Sequence, residues 1–99
     1  MSVVTDTVDS TLNHSYLAEV FISLKPVVND PEGLSIRAGL HSLGYAGVES
    51  VRAGKYLRLT VSATSREEAE AEVARMCEQL LANPVMETFR VTMTALADH

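Results

Sequence analysis

GYAGVESVRAGKYLRLTV (Gly44–Val61) occupies the middle of the chain and carries its clearest sheet pattern. Gly44 and Gly47 predict a turn, after which apolar and polar residues alternate. The positions predicted to face the core are Val51, Ala53, Leu57, Leu59 and Val61, with Lys55 as a polar exception, and the opposite positions are Arg52, Tyr56, Arg58 and Thr60. A period of two is typical of a strand in a sheet with one buried face.

The dipeptide Ala53-Gly54 interrupts this run. Two-residue hairpin loops favour Asn-Gly or Asp-Gly, and Ala-Gly is a weaker form of that pattern. The sequence therefore leaves open whether the run folds into a hairpin or forms one bent strand. Both alternatives place the same residues in the core.

On the N-terminal side of this stretch, Tyr16–Lys25 predicts a first strand. Its even-numbered positions are apolar, but its other face also carries Leu17 and Phe21. A sheet face that meets only water should be more polar than this. We therefore predict that this face contacts a second copy, and that the chain forms a homodimer or a higher oligomer.

A first helix is predicted between this strand and the central stretch. Asp30 is a favourable N-cap, Pro31 suits the first helical position, and Glu32 complements the positive end of the helix dipole. Apolar residues follow at helical spacing: Ile36, Leu40 and Leu43. Gly44 is placed for a left-handed C-cap.

A second helix is predicted after the central stretch, because Ser65 and Glu68 match a capping box. Its apolar stripe consists of Ala69, Val73, Met76, Cys77, Leu80 and Leu81. Asn83-Pro84 ends this helix, since the residue before a proline avoids the helical region. A last strand follows over Met86–Ala95, with alternating apolar residues that begin at Phe89.

These elements predict an α+β fold in two layers, with two helices on one face of a mostly antiparallel sheet. The order is β-α-β-β-α-β, or β-α-β-α-β if the central run is one bent strand. Residues 1–14 are rich in Thr, Ser and Asp without periodicity and are predicted to be a disordered leader. Residues 15–96 then form a single domain, followed by a tail at 97–99.

Composition excludes several classes of protein. The net charge of −5, with no cluster of basic residues, argues against nucleic-acid binding. No apolar run approaches the roughly 20 residues that span a bilayer, and the N-terminus lacks the pattern of a secretory signal. The single cysteine suits a reducing compartment, so we predict a cytoplasmic protein.

The residues that could carry chemistry are few. Cys77 falls inside the apolar stripe of the second helix and is predicted to be a buried core thiol. His14, His41 and His99 have no metal-ligand partner at usable spacing, and His41 is expected to be solvated. No phosphate-binding glycine motif occurs. The sequence predicts no catalytic, cofactor-binding or metal site in this chain.

Three segments nevertheless resemble one family when taken together: LKPVVNDPEG (Leu24–Gly33), LHSLGYAGVESVRAGKYLRL (Leu40–Leu59) and CEQLLANPVMETFRV (Cys77–Val91). In the same order and spacing, they are similar to the PurS subunit of phosphoribosylformylglycinamidine synthase. The resemblance extends over about Tyr16 to Thr94.

This resemblance implies a non-catalytic small subunit in purine biosynthesis. In such systems a large synthetase subunit and a glutaminase subunit make formylglycinamidine ribonucleotide (FGAM) from formylglycinamide ribonucleotide (FGAR), glutamine and ATP. The small subunit bridges the two and assists the transfer of ammonia. ATP, Mg and glutamine would be used by the partner subunits, and no cofactor would be bound by this chain.

Polar residues near the predicted turns are candidates for contacts with those partners: Lys25, Asp30, Arg52, Lys55, Asn83 and Glu87. Each also has a structural explanation, such as capping for Asp30. An alternative function is a free-standing ACT-like domain that senses a small molecule, since that fold has the same element order. A small enzyme of the acylphosphatase type is disfavoured, because its arginine-containing phosphate loop is absent after the first strand.

Overall fold

The computed structural model describes residues 13–97, and the order of elements in that range is β-α-β-α-β. The elements are β1 (His14–Leu24), α1 (Pro31–Ser42), β2 (Gly54–Ala63), α2 (Arg66–Met76) and β3 (Glu87–Ala95), with a π-helical turn at Cys77–Leu81 directly after α2. The predicted α+β class with two helices and an antiparallel sheet is confirmed. The central run forms one strand rather than a hairpin.

Most of the predicted leader, residues 1–12, lies outside the described residues, so its disorder stays a prediction. β1 begins at His14, slightly before the predicted start at Tyr16.

The sheet has the order β2-β1-β3, with β1 antiparallel to both neighbours. Val20 lies opposite Leu57 on β2 and opposite Val91 on β3, so three apolar side chains form one row. The alternation predicted for β2 is confirmed, because Leu57, Leu59 and Val61 are half-buried while the residues between them are exposed. Period-two patterning therefore assigned the core face of the sheet correctly.

The core forms where α2 lies across the inner face of the sheet. Ala69, Val73 and Cys77 are fully buried at helical spacing, against Ala18 and Val20 of the central strand. The prediction that Cys77 is a buried core cysteine is confirmed. Burial raises the pKa of its thiol, with a smaller contribution from the nearby Glu78 carboxylate.

The start of α2 is stabilised by the predicted capping residues. Ser65 Oγ accepts a hydrogen bond from the Glu68 backbone N–H at 3.1 Å. Glu68 Oε1 accepts from both the backbone N–H (2.6 Å) and the hydroxyl (2.9 Å) of Thr64, one residue earlier than the usual box partner. These bonds lower the pKa of the Glu68 carboxyl, the backbone bond most of all.

The predicted stripe of the second helix is wrong at Leu80, whose side chain is 83% exposed. The Ala82 N–H donates to the Cys77 carbonyl at 2.9 Å, which closes a turn of five residues instead of four. Such a π turn inserts one extra residue, so the positions after Cys77 rotate relative to the core. Leu81 and Ala82 consequently take the inward positions, and Leu80 faces solvent.

The outer face of the sheet is partly covered by its own side chains. Phe21 packs against Tyr56, with 5.1 Å between ring centroids, and the Arg90 guanidinium lies 4.2 Å from the centroid of the Phe21 ring. Tyr56 donates a hydrogen bond of 2.5 Å to Glu19, which raises the pKa of the tyrosine. Phe21 is therefore partly covered by side chains of its own sheet, and it argues less strongly for contact with a second copy than the sequence suggests. Self-association itself remains a prediction.

α1 begins and ends as predicted. Asp30 is its N-cap, and the following Gly44 adopts φ +102°, a left-handed conformation that suits glycine. Among the elements of residues 13–97, however, only α2 packs extensively against the sheet, and Gly33 is the only buried residue of α1. We predicted that both helices cover one face of the sheet, but α1 does not pack on that face.

α1 instead packs against the segment that follows it. His41 Nε2 lies 2.7 Å from the Val48 carbonyl oxygen, and Arg37 Nε donates to the Glu49 carbonyl at 2.9 Å. His41 is therefore half-buried and bonded, in contrast to the solvated histidine predicted. These bonds also explain why the segment before Gly54 joins no sheet: residues 48–53 run back along α1. We call residues 31–53 the α1 arm.

Candidate functional site

All six candidate contact residues lie at one end of the sheet. Because β1 is antiparallel to both neighbours, its C-terminal end meets the beginnings of β2 and β3. The connecting segments 25–30, 50–55 and 80–87 therefore converge there, and we call them the sheet-end surface. The structure thus brings together Lys25, Asp30, Arg52, Lys55, Asn83 and Glu87.

Lys25 joins two of these segments. Its backbone N–H donates to the Met86 carbonyl at 2.8 Å, and its ammonium group donates to the Pro84 carbonyl at 3.1 Å. Arg52 adds the third segment, because its Nη2 donates to the Lys25 carbonyl at 2.9 Å. The Arg52 side chain remains exposed and keeps donors available for a partner.

Asp30 is buried and joins the beginning of the α1 arm to its end. Its Oδ1 accepts from the Gly33 N–H at 3.0 Å, and its Oδ2 accepts from the Ala53 N–H at 2.7 Å. These two bonds, the Gly33 bond most of all, lower the pKa of the carboxyl. The geometry gives Asp30 a structural role, since each carboxylate oxygen accepts a hydrogen bond from the backbone.

Gly33 explains why the arm can pack so closely at this point. A Cβ at Gly33 would lie 2.2 Å from the Val51 carbonyl oxygen. Only glycine permits this approach between the first turn of α1 and the returning segment.

Glu87 and Asn83 order the turn that leads into β3. Glu87 Oε1 accepts from the Asn83 N–H at 2.7 Å, and Asn83 Oδ1 accepts from the Val85 N–H at 2.9 Å. Glu87 Oε2 also lies 3.7 Å from Lys55 Nζ, in an ion pair whose lysine is more than half exposed. Such an exposed pair contributes little to stability, so Lys55 remains able to bind elsewhere.

Sequence reasoning missed the apolar part of this surface. Leu80 is 83% exposed and Val85 is 77% exposed, with the partly exposed Met86 beside them in the chain. Helical spacing in the sequence predicted that Leu80 lies in the core. The π turn changes that spacing, and the sequence does not reveal this turn. Val85 follows Asn83-Pro84, a combination that predicts an exposed turn tip.

Two open clefts adjoin these residues. One of about 380 Å³ is lined by Lys25, Cys77, Pro84 and Phe89, among others, and one of about 420 Å³ lies between Pro26 and Arg52. Both clefts are lined by a mixture of apolar and polar or charged residues, a combination that is also found where side chains of another protein are received.

The chemistry available in the described residues is limited. In residues 13–97, no three His, Cys, Asp or Glu side chains lie close enough to hold a metal ion. Over the same range, no helix is long and apolar enough to cross a membrane. Cys77 is buried, and Asp30, Glu68 and His41 are each engaged in bonds to the backbone.

Comparison with known proteins gives a consistent result. Residues 17–95 match the PurS family, described as phosphoribosylformylglycinamidine (FGAM) synthase. A curated relative, the phosphoribosylformylglycinamidine synthase subunit PurS of Synechocystis sp., is 43% identical over 86 residues, which cover 87% of this chain and 86% of that relative.

Solved structures show the same similarity in three dimensions. PurS of Methanocaldococcus jannaschii, one of the subunits of formylglycinamide ribonucleotide amidotransferase in the purine biosynthetic pathway, is 34% identical with a TM-score of 0.75, over 83% of this chain and 99% of that one. A chain in the structure of PurLQS from Thermotoga maritima is 32% identical with a TM-score of 0.74, over 83% and 98%.

Proposed function

The chain belongs to the PurS family, subunits of phosphoribosylformylglycinamidine synthase in purine biosynthesis, and we propose that it joins the synthetase and glutaminase subunits of that enzyme and assists the passage of ammonia between them. The observation that carries this proposal is the sheet-end surface, where six polar candidate residues adjoin exposed Leu80 and Val85. A protein that works by contact needs such a combination of apolar anchors with a polar rim. The Thermotoga maritima PurLQS structure, which contains a similar chain, supports the assignment of partners.

The proposal leaves both half-reactions to the partner subunits. A thiol nucleophile needs access and a lowered pKa, whereas Cys77 is buried and its pKa is raised. The carboxylates of Asp30 and Glu68 accept hydrogen bonds from backbone N–H groups at the starts of the two helices. These bonds keep both carboxylates ionised and fix their orientation. We therefore propose that ATP, Mg and glutamine are used by the partner subunits, in the cytoplasm, and that this chain binds no cofactor.

The family match favours this function over the ACT-like sensor that the sequence left as an alternative. The two functions differ in what the sheet-end surface binds: large protein partners in one case, a small molecule in the other. Apolar residues that are largely exposed, as at Val85, suit a protein partner better than a small ligand, which is bound in an enclosing pocket.

Paired surface variants test the proposal. The chain carrying Leu80→Gln and Val85→Ser is titrated into the synthetase and glutaminase subunits, and glutamine-dependent product is measured. Loss of two apolar anchors should raise the concentration needed for half-maximal activity by roughly tenfold or more, since 1.4 kcal/mol corresponds to a factor of ten.

The matched control is Leu96→Gln, an exposed leucine that follows β3 at the opposite end of the sheet. Its titration curve should stay within about a factor of two of the original chain, as expected for a surface change outside a contact. Equal curves for the double variant and the control would show that the sheet-end surface does not contact a partner.

A further inference from the structure

The outer face of the sheet combines aromatic and basic side chains in the middle of an open surface. Strand pairing sets two neighbouring rows across this face: Arg58–Glu19–Thr92 and Tyr56–Phe21–Arg90. Tyr56 is 49% exposed, and both arginines are exposed as well. Aromatic residues together with arginine are enriched where proteins bind a polypeptide, so this face is suited to receive one.

The two arginines of this face have no carboxylate to pair with. In residues 13–97, Glu19 is the only acidic residue on the outer face. Its two carboxylate oxygens accept the hydroxyl groups of Tyr56 and Thr92, at 2.5 and 3.5 Å. Within the described part of the chain, neither Arg58 nor Arg90 forms an ion pair. The face therefore keeps two positive charges for a group from elsewhere.

The stretch that precedes β1 has the complementary composition. Residues 1–12, which lie outside the described residues, read MSVVTDTVDSTL, with Asp6 and Asp9 but no lysine or arginine. Six of these twelve residues are valine or threonine, whose stiff side chains favour an extended chain and lose little freedom on binding. We call residues 1–12 the N-terminal segment. It supplies two carboxylates and several apolar side chains.

Both arginines lie within reach of the point where the N-terminal segment joins β1. Arg58 lies opposite Glu19, five residues from His14, which is about 17 Å along the strand. Arg90 lies opposite Phe21, seven residues from His14, which is about 23 Å. The two arginines are on opposite sides of β1 in adjacent rows, so their Cα atoms are about 12 Å apart.

The positions of the two aspartates match these distances. An extended chain spans about 3.3 Å per residue, so Asp6 reaches up to about 26 Å from His14 and Asp9 up to about 17 Å. The long arginine side chains make up the length that is lost where the chain reverses, and Asn13 is of a type that favours such a turn. In polyproline-II geometry, residues three apart project on the same side at about 9 Å, close to the separation of the arginines.

We propose that the N-terminal segment folds back over the outer face of its own sheet, where Asp6 and Asp9 pair with the two exposed arginines. Val8 lies between the two aspartates in sequence and packs against the aromatic pair. Attachment to β1 keeps the segment at an effective concentration in the millimolar range. The inference replaces the disordered leader predicted from composition by a docked one, and it does not depend on the bridging function.

Paramagnetic relaxation in NMR spectra tests the docking. A nitroxide is attached to Ser2→Cys in the full chain, and Cys77 does not react because it is buried. The amide signals of Phe21 and Arg90 should lose intensity, whereas the signal of Ala71, an exposed residue of α2 in the other layer, should not. The control is a mixture of labelled chain without isotope enrichment and enriched chain without label. The loss should disappear there, since the docking is within one chain.

Charge variants show whether ion pairs hold the segment. Asp6→Asn with Asp9→Asn should lower the docking constant by about fivefold or more, because two pairs are lost. Salt at about 1 M should act in the same direction, since it shortens the Debye length to about 3 Å. A reversal variant carries Asp6→Lys, Asp9→Lys, Arg58→Glu and Arg90→Glu. It should restore the relaxation, and Arg75→Gln, an exposed arginine of α2, should leave it within about a factor of two.

Three results would overturn the proposal. The signals of Phe21 and Arg90 could keep their full intensity in the unmodified chain, which would show that the segment is not docked. An equal loss in the mixed sample would place the segment on a second copy. Relaxation that is unchanged in the asparagine variant would show that the two aspartates form no pairs with the face. Because no partner subunit is present, none of these results bears on the bridging function.

Discussion

At the residue scale, Asp30 has the clearest assigned role. The sequence predicts it as the N-cap of α1, and the bond to Gly33 confirms this. Its second bond, to Ala53, joins positions 23 residues apart and could not be predicted from local pattern. One carboxylate thus both caps the helix and binds the last residue of the arm, directly before β2.

The closure of the two ends of the arm on Asp30 should therefore depend on pH. The pKa of the Asp30 carboxyl is lower in the folded chain than its ordinary value of 3.8. A group with a lowered folded pKa contributes its full stabilisation above the ordinary value and loses it as pH falls through the folded value. We expect the Gly33 and Ala53 amides to lose protection from hydrogen exchange below pH 3.8, after correction for intrinsic rates.

Asp30→Asn is the control for this experiment. Because the amide does not ionise in this range, protection of the two N–H groups should be weaker and nearly independent of pH. Protection in the original chain that stays constant through the acid range would contradict the role of the carboxylate.

At the element scale, the π turn after α2 has the largest effect on which residues are available to partners. It rotates Leu80 outward and brings Ala82 into the core. The exposure of Leu80 on the sheet-end surface is a consequence of this single insertion.

Two substitutions in the same helical segment test the π turn. Leu80→Gln should change the free energy of unfolding by less than about 0.5 kcal/mol, as for other exposed positions. Val73→Ala removes a fully buried side chain and should cost about 1.5–3 kcal/mol. Urea denaturation measures both, and a cost at Leu80 similar to that at Val73 would show that Leu80 is a core residue.

The elements also show which parts of the fold follow from sequence. Alternation is a local property, so it identified the inner faces of β1, β2 and β3, and capping residues placed the starts of both helices. Residues 48–53 alternate like a strand in the sequence but form no regular element and are bonded to α1, and an isolated pattern does not reveal the partner of such a segment. The same limit applies to His41, whose bond to Val48 depends on how the arm folds back.

At the scale of the whole molecule, the candidate site was predicted in part. The six polar residues were chosen because they adjoin turns, and antiparallel topology explains why those turns meet at one end of the sheet. Leu80 was not predicted because its exposure depends on the π turn, and the exposure of Ile36 and Leu43 on α1 depends on tertiary placement of the arm.

The most direct test of the bridging function is reconstitution of the synthetase and glutaminase subunits with and without this chain. Each mixture is supplied either with glutamine or with a high concentration of ammonia, and the formation of formylglycinamidine ribonucleotide is measured. Omission of the chain should remove most glutamine-dependent product, while ammonia-dependent product should persist at least in part, because free ammonia needs no bridge. Glutamine-dependent turnover that is unchanged without the chain would contradict the bridging function.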